Sequence, residues 1–330
     1  MKVATVEKVL SIIDHPNADA LQIANILGWN VVCKKNECKV GDLVAFVNID
    51  SIVKPHAEFS FLESKSYRIR PVKIRGQMSQ GLLIPIRNLE KFGKVDWANL
   101  SEGDDISEIL GATHYEKKIP SKVEGNTKGK FPSFLIRTDE NNLRNYPEAL
   151  KEIEGKEVYI TKKIDGCSAT YFVRNCNFGV CSRSLELHPD ENAFWSIVKK
   201  YDLAYKMLNL PHNIAIQGEI YGPNIQNNPL KVKELAFAAY NLFYINGSSY
   251  GSYDELTTIC EDFQIPQTEV VYCGIMKFSL KELIELANNQ YYSNNVPCEG
   301  IVIRTTEPVS SKIIGINRWS AKVLNENYDT

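Results

Sequence analysis

Apolar and polar residues alternate with a period of two over many short stretches of this chain, so most of the predicted elements are strands. In the first third, Val3–Ile13, Leu21–Leu27, Trp29–Cys33, Leu43–Ile49, Tyr67–Ile74 and Gly81–Ile86 read this way. Turn clusters separate them, notably His15-Pro16-Asn17-Ala18-Asp19 and Val40-Gly41-Asp42. A set of about five short strands at this spacing predicts a small barrel of the OB type over residues 1–100.

Beyond it the pattern changes. Ser101-Glu102-Gly103-Asp104-Asp105 precedes a short helix ending near Leu110, and Lys117–Lys130 is rich in Lys, Gly, Pro, Ser and Asn. Residues 101–130 therefore read as an exposed linker. A second domain is expected over 131–330. It opens with a helix start at Thr138-Asp139-Glu140 and a helix over Tyr146–Glu154 that ends at Gly155. Strands follow at Glu157–Ile160 and Ala169–Val173, with a hairpin at Arg174–Asn177. Helical spacing of Phe194, Ile197, Val198, Tyr201 and Leu203 predicts a helix over Glu191–Leu208. Ile214–Gly222, Leu235–Ile245, Glu299–Arg304 and Ile313–Asn317 read as strands, Tyr253–Phe263 and Ser279–Asn288 as helices, and Arg318–Leu324 closes the chain. The fold class is α+β: an OB-type barrel, then antiparallel sheets flanked by helices.

Composition narrows the classes of function. Hydrophobic content of 44% and charged content of 24% are ordinary for a soluble globular protein. A formal net charge of −2 argues against a generally basic nucleic-acid binder, though not against a local groove. Two basic stretches stand out: Lys65, Arg68, Arg70, Lys73 and Arg75, and Lys117, Lys118, Lys122, Lys128 and Lys130. Neither a membrane-spanning apolar run nor a signal-peptide core is visible. The eight cysteines form no Cys-x-x-Cys pair and read as free thiols of a reducing compartment. An intracellular protein with no membrane association is expected, and no obligate protein partner is evident.

The stretch with chemical potential is Thr161-Lys162-Lys163-Ile164-Asp165-Gly166-Cys167-Ser168. A lysine at a strand-turn edge is stiffly placed. Among other cations its amine can lose its proton near neutral pH and attack phosphorus. Asp165 is close enough to orient a ribose or a metal-bound water. An exposed hairpin carrying a Lys and an Asp would show the same four residues, so the remainder of the chain has to decide.

Taken together, several stretches resemble the ordered motifs of the covalent nucleotidyltransferase superfamily of ATP-dependent ligases and mRNA capping enzymes. Lys163-Ile164-Asp165-Gly166 resembles the first motif, Ser182-Arg183 the second and Gly218-Glu219-Ile220-Tyr221-Gly222 the third. Phe237–Asn241 is similar to the aromatic-strand motif, Glu299–Arg304 to the fourth, and Lys322 with Val323 to the last. The OB-like unit precedes the motifs, and Lys322 lies near the end of the sequence. That order resembles the RNA ligases with an N-terminal OB module. Pro132–Asn145, with Arg144, is similar to the segment before the lysine in that family. His15–Asp19 and Arg75–Leu83 resemble the tRNA-binding OB modules of some synthetases.

The resemblance implies an ATP-dependent RNA ligase. Lys163 would take AMP from ATP, pass it to an RNA 5′-phosphate, and a 3′-hydroxyl would then displace it, in RNA repair or nick sealing. Asp165, Glu219 and Glu299 are the implied carboxylates for Mg²⁺ or Mn²⁺, directly or through waters. Lys322 and Arg183 would grip phosphates. Lys162, Gly166, Arg144 and either Phe237 or Tyr240 complete the implied nucleotide site, the aromatic residue stacking on adenine. One departure stands in the last motif: Ser320 occupies the place of its first lysine, leaving Arg318 or Lys312 to supply the cation. Two alternatives remain: a capping guanylyltransferase, and a catalytically inactive RNA-binding protein.

Overall fold

The computed structural model describes residues 2–115, 125–293, 295–314 and 317–328. Its contacts divide the chain into two units, Met1–Lys118 and Ile119–Thr330.

In the first unit Ala4–Lys8 pairs antiparallel with Leu43–Val47, which pairs in turn with Leu82–Pro85. Ser11–Asp14, Leu21–Ile26 and Trp29–Lys34 form a second antiparallel set. The strand expected over Val3–Ile13 is thus two strands. At the break, the Val9 N–H donates to the Asp42 carbonyl and the Leu10 N–H to that of Asn25, so the chain leaves one sheet for the other. Such corners let short strands curl around one core, here Val6, Ala45, Val47, Phe59 and Ile84. The two stretches that carried the OB resemblance touch. His15 Nε2 lies 3.0 Å from the Ile74 carbonyl, and Asn17 Nδ2 donates to that of Arg75 at 2.9 Å.

Residues 101–114, expected within the linker, fold into this unit. The Ile106 N–H donates to the Ala4 carbonyl, Ser107–Leu110 forms one helical turn, and Thr113–His114 pairs with Ser51–Ile52. Ile106, Leu110 and Ala112 are buried, and that burial anchors the segment. Of the second basic stretch, Lys117, Lys118 and Lys122 lie outside the described residues, while Lys128 and Lys130 fall on the strand Thr127–Lys130. In the first stretch Arg68 has structural partners: Asp50 at 2.7 Å and the ring of Tyr115 at 3.7 Å.

The second unit is built on two sheets. The larger has seven strands, in spatial order Thr127–Lys130, Leu185–Leu187, Asn177–Cys181, Cys167–Arg174, Ile214–Tyr221, Ala236–Tyr244 and Ser249–Tyr250. The smaller has five, in the order Asn141–Asn142, Ser320–Leu324, Gly300–Thr305, Glu157–Lys163 and Val270–Ile275. Helices Ala193–Tyr201, Leu203–Leu208 and Tyr253–Phe263 cover the apolar face of the first sheet, and Leu280–Asn288 covers that of the second.

In this unit three expectations are corrected and one strand is new. The helix over Glu191–Leu208 is two helices, because Asp202 takes a left-handed conformation (φ 53°) between them. Thr138-Asp139-Glu140 starts no helix and carries no regular secondary structure; distant partners take its three polar side chains. Ile313–Ile314 is a bend whose N–H groups donate to Ser311 Oγ, and residues 315–316 lie outside the described ones. Val270–Ile275, not foreseen, is a strand that zips onto Glu157–Lys163.

Candidate active site

Alternation along Glu157–Lys163 places Val158 and Ile160 in the core and turns Lys163 to the other face. Lys163 is the last residue of its ladder, paired with Gly300. The chain then crosses through Ile164, Asp165 and Gly166 to Cys167, the first residue of the central strand of the other sheet. Gly166 is required by proximity: a Cβ there would lie 2.2 Å from the Ile220 carbonyl oxygen and 2.8 Å from Glu219 Cγ. Glu219 sits beside Ser168 in that sheet. Glu299 immediately precedes the strand Gly300–Thr305.

The ends of both sheets thus bring Lys163, Asp165, Glu219 and Glu299 together. Lys163 Nζ donates to Glu299 Oε2 at 2.6 Å. Burial pulls the pKa of the Lys163 ammonium down, but Glu299, Glu219 and Asp165 outweigh it and hold the group well above an ordinary lysine. Burial pushes the Glu219 carboxyl up to about 8; Glu299 and Asp165 add to this, while Lys163 and Arg183 oppose it. Arg183 pairs with Asp139 at 2.6 Å. Among the described residues no three metal-ligating side chains converge tightly enough to hold one ion directly. The three acids ring the ammonium instead.

Lys322 is half-buried. It pairs with Val302, two residues along the strand from Gly300, so register places it on the Lys163 face of the sheet. Ser320 lines a cavity of about 240 Å³ with Arg318, Glu140, Asp139 and Thr138. Of the two cations considered for the missing lysine, Arg318 shares that cavity and Lys312 is exposed. Arg318 is buried, donates to Asn241 Oδ1 at 2.7 Å and lies over the ring of Tyr250.

Three expected nucleotide ligands are placed otherwise. Phe237 is fully buried in the helix-covered core, edge-on to Tyr171 at 5.2 Å, because its position pairs with the inward-facing Ile220. Arg144 has no exposed surface and is held by Glu326 at 3.0 Å. Tyr240 is 9% exposed and carries the Arg304 guanidinium over its ring at 5.3 Å. A bulge opposite Gln217 and Gly218 turns Tyr240 toward Thr138 and Ser168, and the three hydroxyls close a triangle of 2.8, 3.0 and 3.0 Å. The Lys162 ammonium is taken by Glu269 at 2.6 Å and the Tyr291 carbonyl, and its N–H donates to the Glu269 carbonyl.

Two tyrosines that sequence reasoning missed hold the site. Tyr292 Oη donates to the Lys163 carbonyl at 2.9 Å and lies 3.1 Å from the Asp165 nitrogen. Tyr328 Oη donates to Asp165 Oδ2 at 2.6 Å. Neither stands in a local pattern that distinguishes it from other tyrosines.

Comparison with known proteins places this geometry. An RNA ligase family model matches residues 156–323, which include Lys163, Asp165, Glu219, Glu299 and Lys322. The chain belongs to the RNA ligase family. An OB-fold domain model matches residues 3–86 of this ligase. Solved structures of Naegleria gruberi RNA ligase are similar over almost the whole length. A ligand-free variant is 28% identical with a TM-score of 0.85, covering 98% of this chain and 97% of that one. A variant with ATP and Mn is 27% identical with a TM-score of 0.85, covering 99% and 98%. The form with PPi is 27% identical with a TM-score of 0.84, covering 98% and 97%. The phenylalanine–tRNA ligase beta subunit of Chlamydia pneumoniae is 30% identical over 144 residues, which cover 39% of this chain. The chain spans 16% of that relative's length. Among the described residues no helix is long and apolar enough to cross a membrane.

Proposed function

We propose that this ligase uses ATP to join RNA 3′-hydroxyl and 5′-phosphate ends, in free strands or at a nick, and serves RNA repair. The observation that carries the reading is the Lys163–Glu299 contact of 2.6 Å inside a ring of two further acids. The ATP and Mn in the Naegleria structures support the choice of nucleotide and ion.

The resting Lys163 is a charged ammonium pinned to Glu299. To act as a nucleophile it gives up a proton, and Glu299 is in place to receive it. The Lys163 nitrogen then bonds to the α-phosphorus of ATP as the bond to the β-phosphate oxygen breaks and pyrophosphate leaves. An oxygen of the RNA 5′-phosphate then attacks the AMP phosphorus as its bond to the Lys163 nitrogen breaks, and the released amine takes up a proton. The 3′-hydroxyl oxygen finally attacks that 5′-phosphorus and AMP departs. Each step loads charge onto phosphate oxygens, which Lys322 and Arg183 would meet.

A divalent ion fits this donor set. Three acids face one ammonium, so the cluster carries more negative than positive charge. Asp165, Glu219 and Glu299 would hold Mg²⁺ or Mn²⁺ through bridging waters, and the ion would supply positive charge beside the phosphates and against protonation of Lys163.

The test is incubation with α-labelled ATP, and separately GTP, with Mg²⁺ or Mn²⁺, followed by denaturation. A protein-bound label from ATP that is lost in Lys163→Ala is expected. Label from GTP would indicate a capping enzyme, and no label from folded protein would leave RNA binding alone.

A further inference from the structure

Beyond the last rung of the ladder, the strands that carry Lys163 and Glu299 diverge. There the Lys163 carbonyl and the N–H groups of Asp165 and Glu299 lose the partners a continuing strand would supply, and buried backbone groups left so are costly. One side chain meets all three. Tyr292 Oη donates to the Lys163 carbonyl at 2.9 Å and accepts from the Asp165 N–H at 3.1 Å and the Glu299 N–H at 3.4 Å. A phenol has one proton and two lone pairs, so this set uses its full hydrogen-bonding capacity.

The ring is fixed as firmly as its hydroxyl. Tyr292 is 7% exposed and sits on a small hairpin, where its N–H donates to the Val296 carbonyl and Cys298 N–H donates to that of Gln290. The same hairpin presents the Tyr291 carbonyl that receives the Lys162 ammonium.

We infer that Tyr292 is a positioning residue of the ligase: its hydroxyl locks the backbone of Lys163, Asp165 and Glu299 into one frame and so aims the lysine amine at the α-phosphate. The inference rests on Lys163 being the nucleophile. Aim matters because a displacement of about 1 Å at a reacting atom costs on the order of a hundredfold in rate. The Lys163 amine is needed to form the adduct, whereas sealing of RNA already carrying AMP on its 5′ end makes no use of it as a nucleophile. Loss of the Tyr292 hydroxyl should therefore separate the two steps.

The experiment compares Tyr292→Phe with wild type in two assays: single-turnover labelling of the protein by ATP across pH, and sealing of pre-adenylylated RNA. Tyr272→Phe serves as the matched deletion, since that hydroxyl donates to the Ile275 carbonyl on the same sheet. We expect Tyr292→Phe to label about 10- to 100-fold more slowly at every pH, with KM for ATP within about twofold and sealing reduced less than labelling. Tyr272→Phe should match wild type in both. Labelling at the wild-type rate would overturn the inference, as would equal losses in both assays or failure to fold, which would make Tyr292 a structural residue. Absence of label from wild type itself would strike at the nucleophile reading and is distinguishable from all of these.

Discussion

Tyr328 donates its phenol proton to Oδ2 of Asp165 at 2.6 Å, across 163 positions of sequence. The contact ties the turn after Asn325 to the turn after Lys163, and the Asn325 N–H donates to the carbonyl of Glu299. One carboxylate oxygen of Asp165 is thereby oriented. A hydrogen bond to a charged group is worth about 1.5–3 kcal/mol, so its loss corresponds to at least roughly tenfold in rate if it sets the reacting geometry. Tyr328→Phe is expected to slow lysine adenylylation about tenfold and to lower the melting temperature by a few degrees. A labelling rate equal to wild type would show that Asp165 needs no such support.

Gly166 lies against the strand that carries Glu219. An alanine Cβ would fall 2.2 Å from the Ile220 carbonyl oxygen, which is backbone and cannot swing aside. Overpacking of this kind costs about 1–3 kcal/mol, and the turn would yield by moving Lys163 and Asp165. Gly166→Ala should cut adduct formation by roughly a hundredfold or more, beyond what its modest loss of stability explains. Thermal melts and single-turnover labelling, run on the same preparation, decide this.

The strands on either side of Lys163 were legible because alternation and turn residues are local signals, whereas Glu219 and Glu299 were singled out by the resemblance of their motifs to the nucleotidyltransferases. What was not legible depends on partners far along the chain. Thr138-Asp139-Glu140 has the composition of a helix cap, yet Ser168, Arg183 and Arg304 claim its side chains. Phe237 and Tyr240 look equivalent in sequence; pairing with Ile220 sends one into the core and a bulge turns the other toward Ser168. Tyr292 and Tyr328 act through single hydroxyls on distant backbone or carboxylate, which no spacing rule encodes. The strand Val270–Ile275 is mostly half-exposed, so its alternation was faint.

Glu140 holds two buried arginines. It lies 2.9 Å from Arg304 and 4.0 Å from Arg318, and these charges keep its carboxyl below the usual range against the opposing effect of burial. Removing one partner of a buried ion pair costs about 3–5 kcal/mol, because the charge left behind is uncompensated. Glu140→Gln is expected to lower the denaturant midpoint accordingly. Asp139→Asn breaks the Arg183 pair, whose side chains are 39% and 32% exposed, and should cost less than about 1 kcal/mol. Similar losses from both would mean that the Glu140 network is not buried as described.

The acid cluster makes stability depend on pH and on metal. The Glu219 carboxyl is pushed up to about 8, mainly by burial, from an ordinary value of 4.5. Folding therefore takes up a proton between these values. The stabilisation from the protonated group is complete below about 4.5 and is lost as pH rises through about 8. Glu219→Gln is neutral throughout, so in EDTA its melting temperature should equal that of wild type near pH 5 and exceed it increasingly toward pH 8. Each 1 kcal/mol moves Tm by about 2–4 °C in a chain of this size, so a gain of several degrees is expected. If Glu219 helps hold the ion as proposed, Mn²⁺ should reverse the order, stabilising wild type more as pH rises, with little effect on the variant. Melts at pH 5, 6.5 and 8, with and without Mn²⁺, measure both trends. A Tm difference independent of pH would mean that Glu219 titrates as an ordinary carboxylate and that Lys163 alone balances the site.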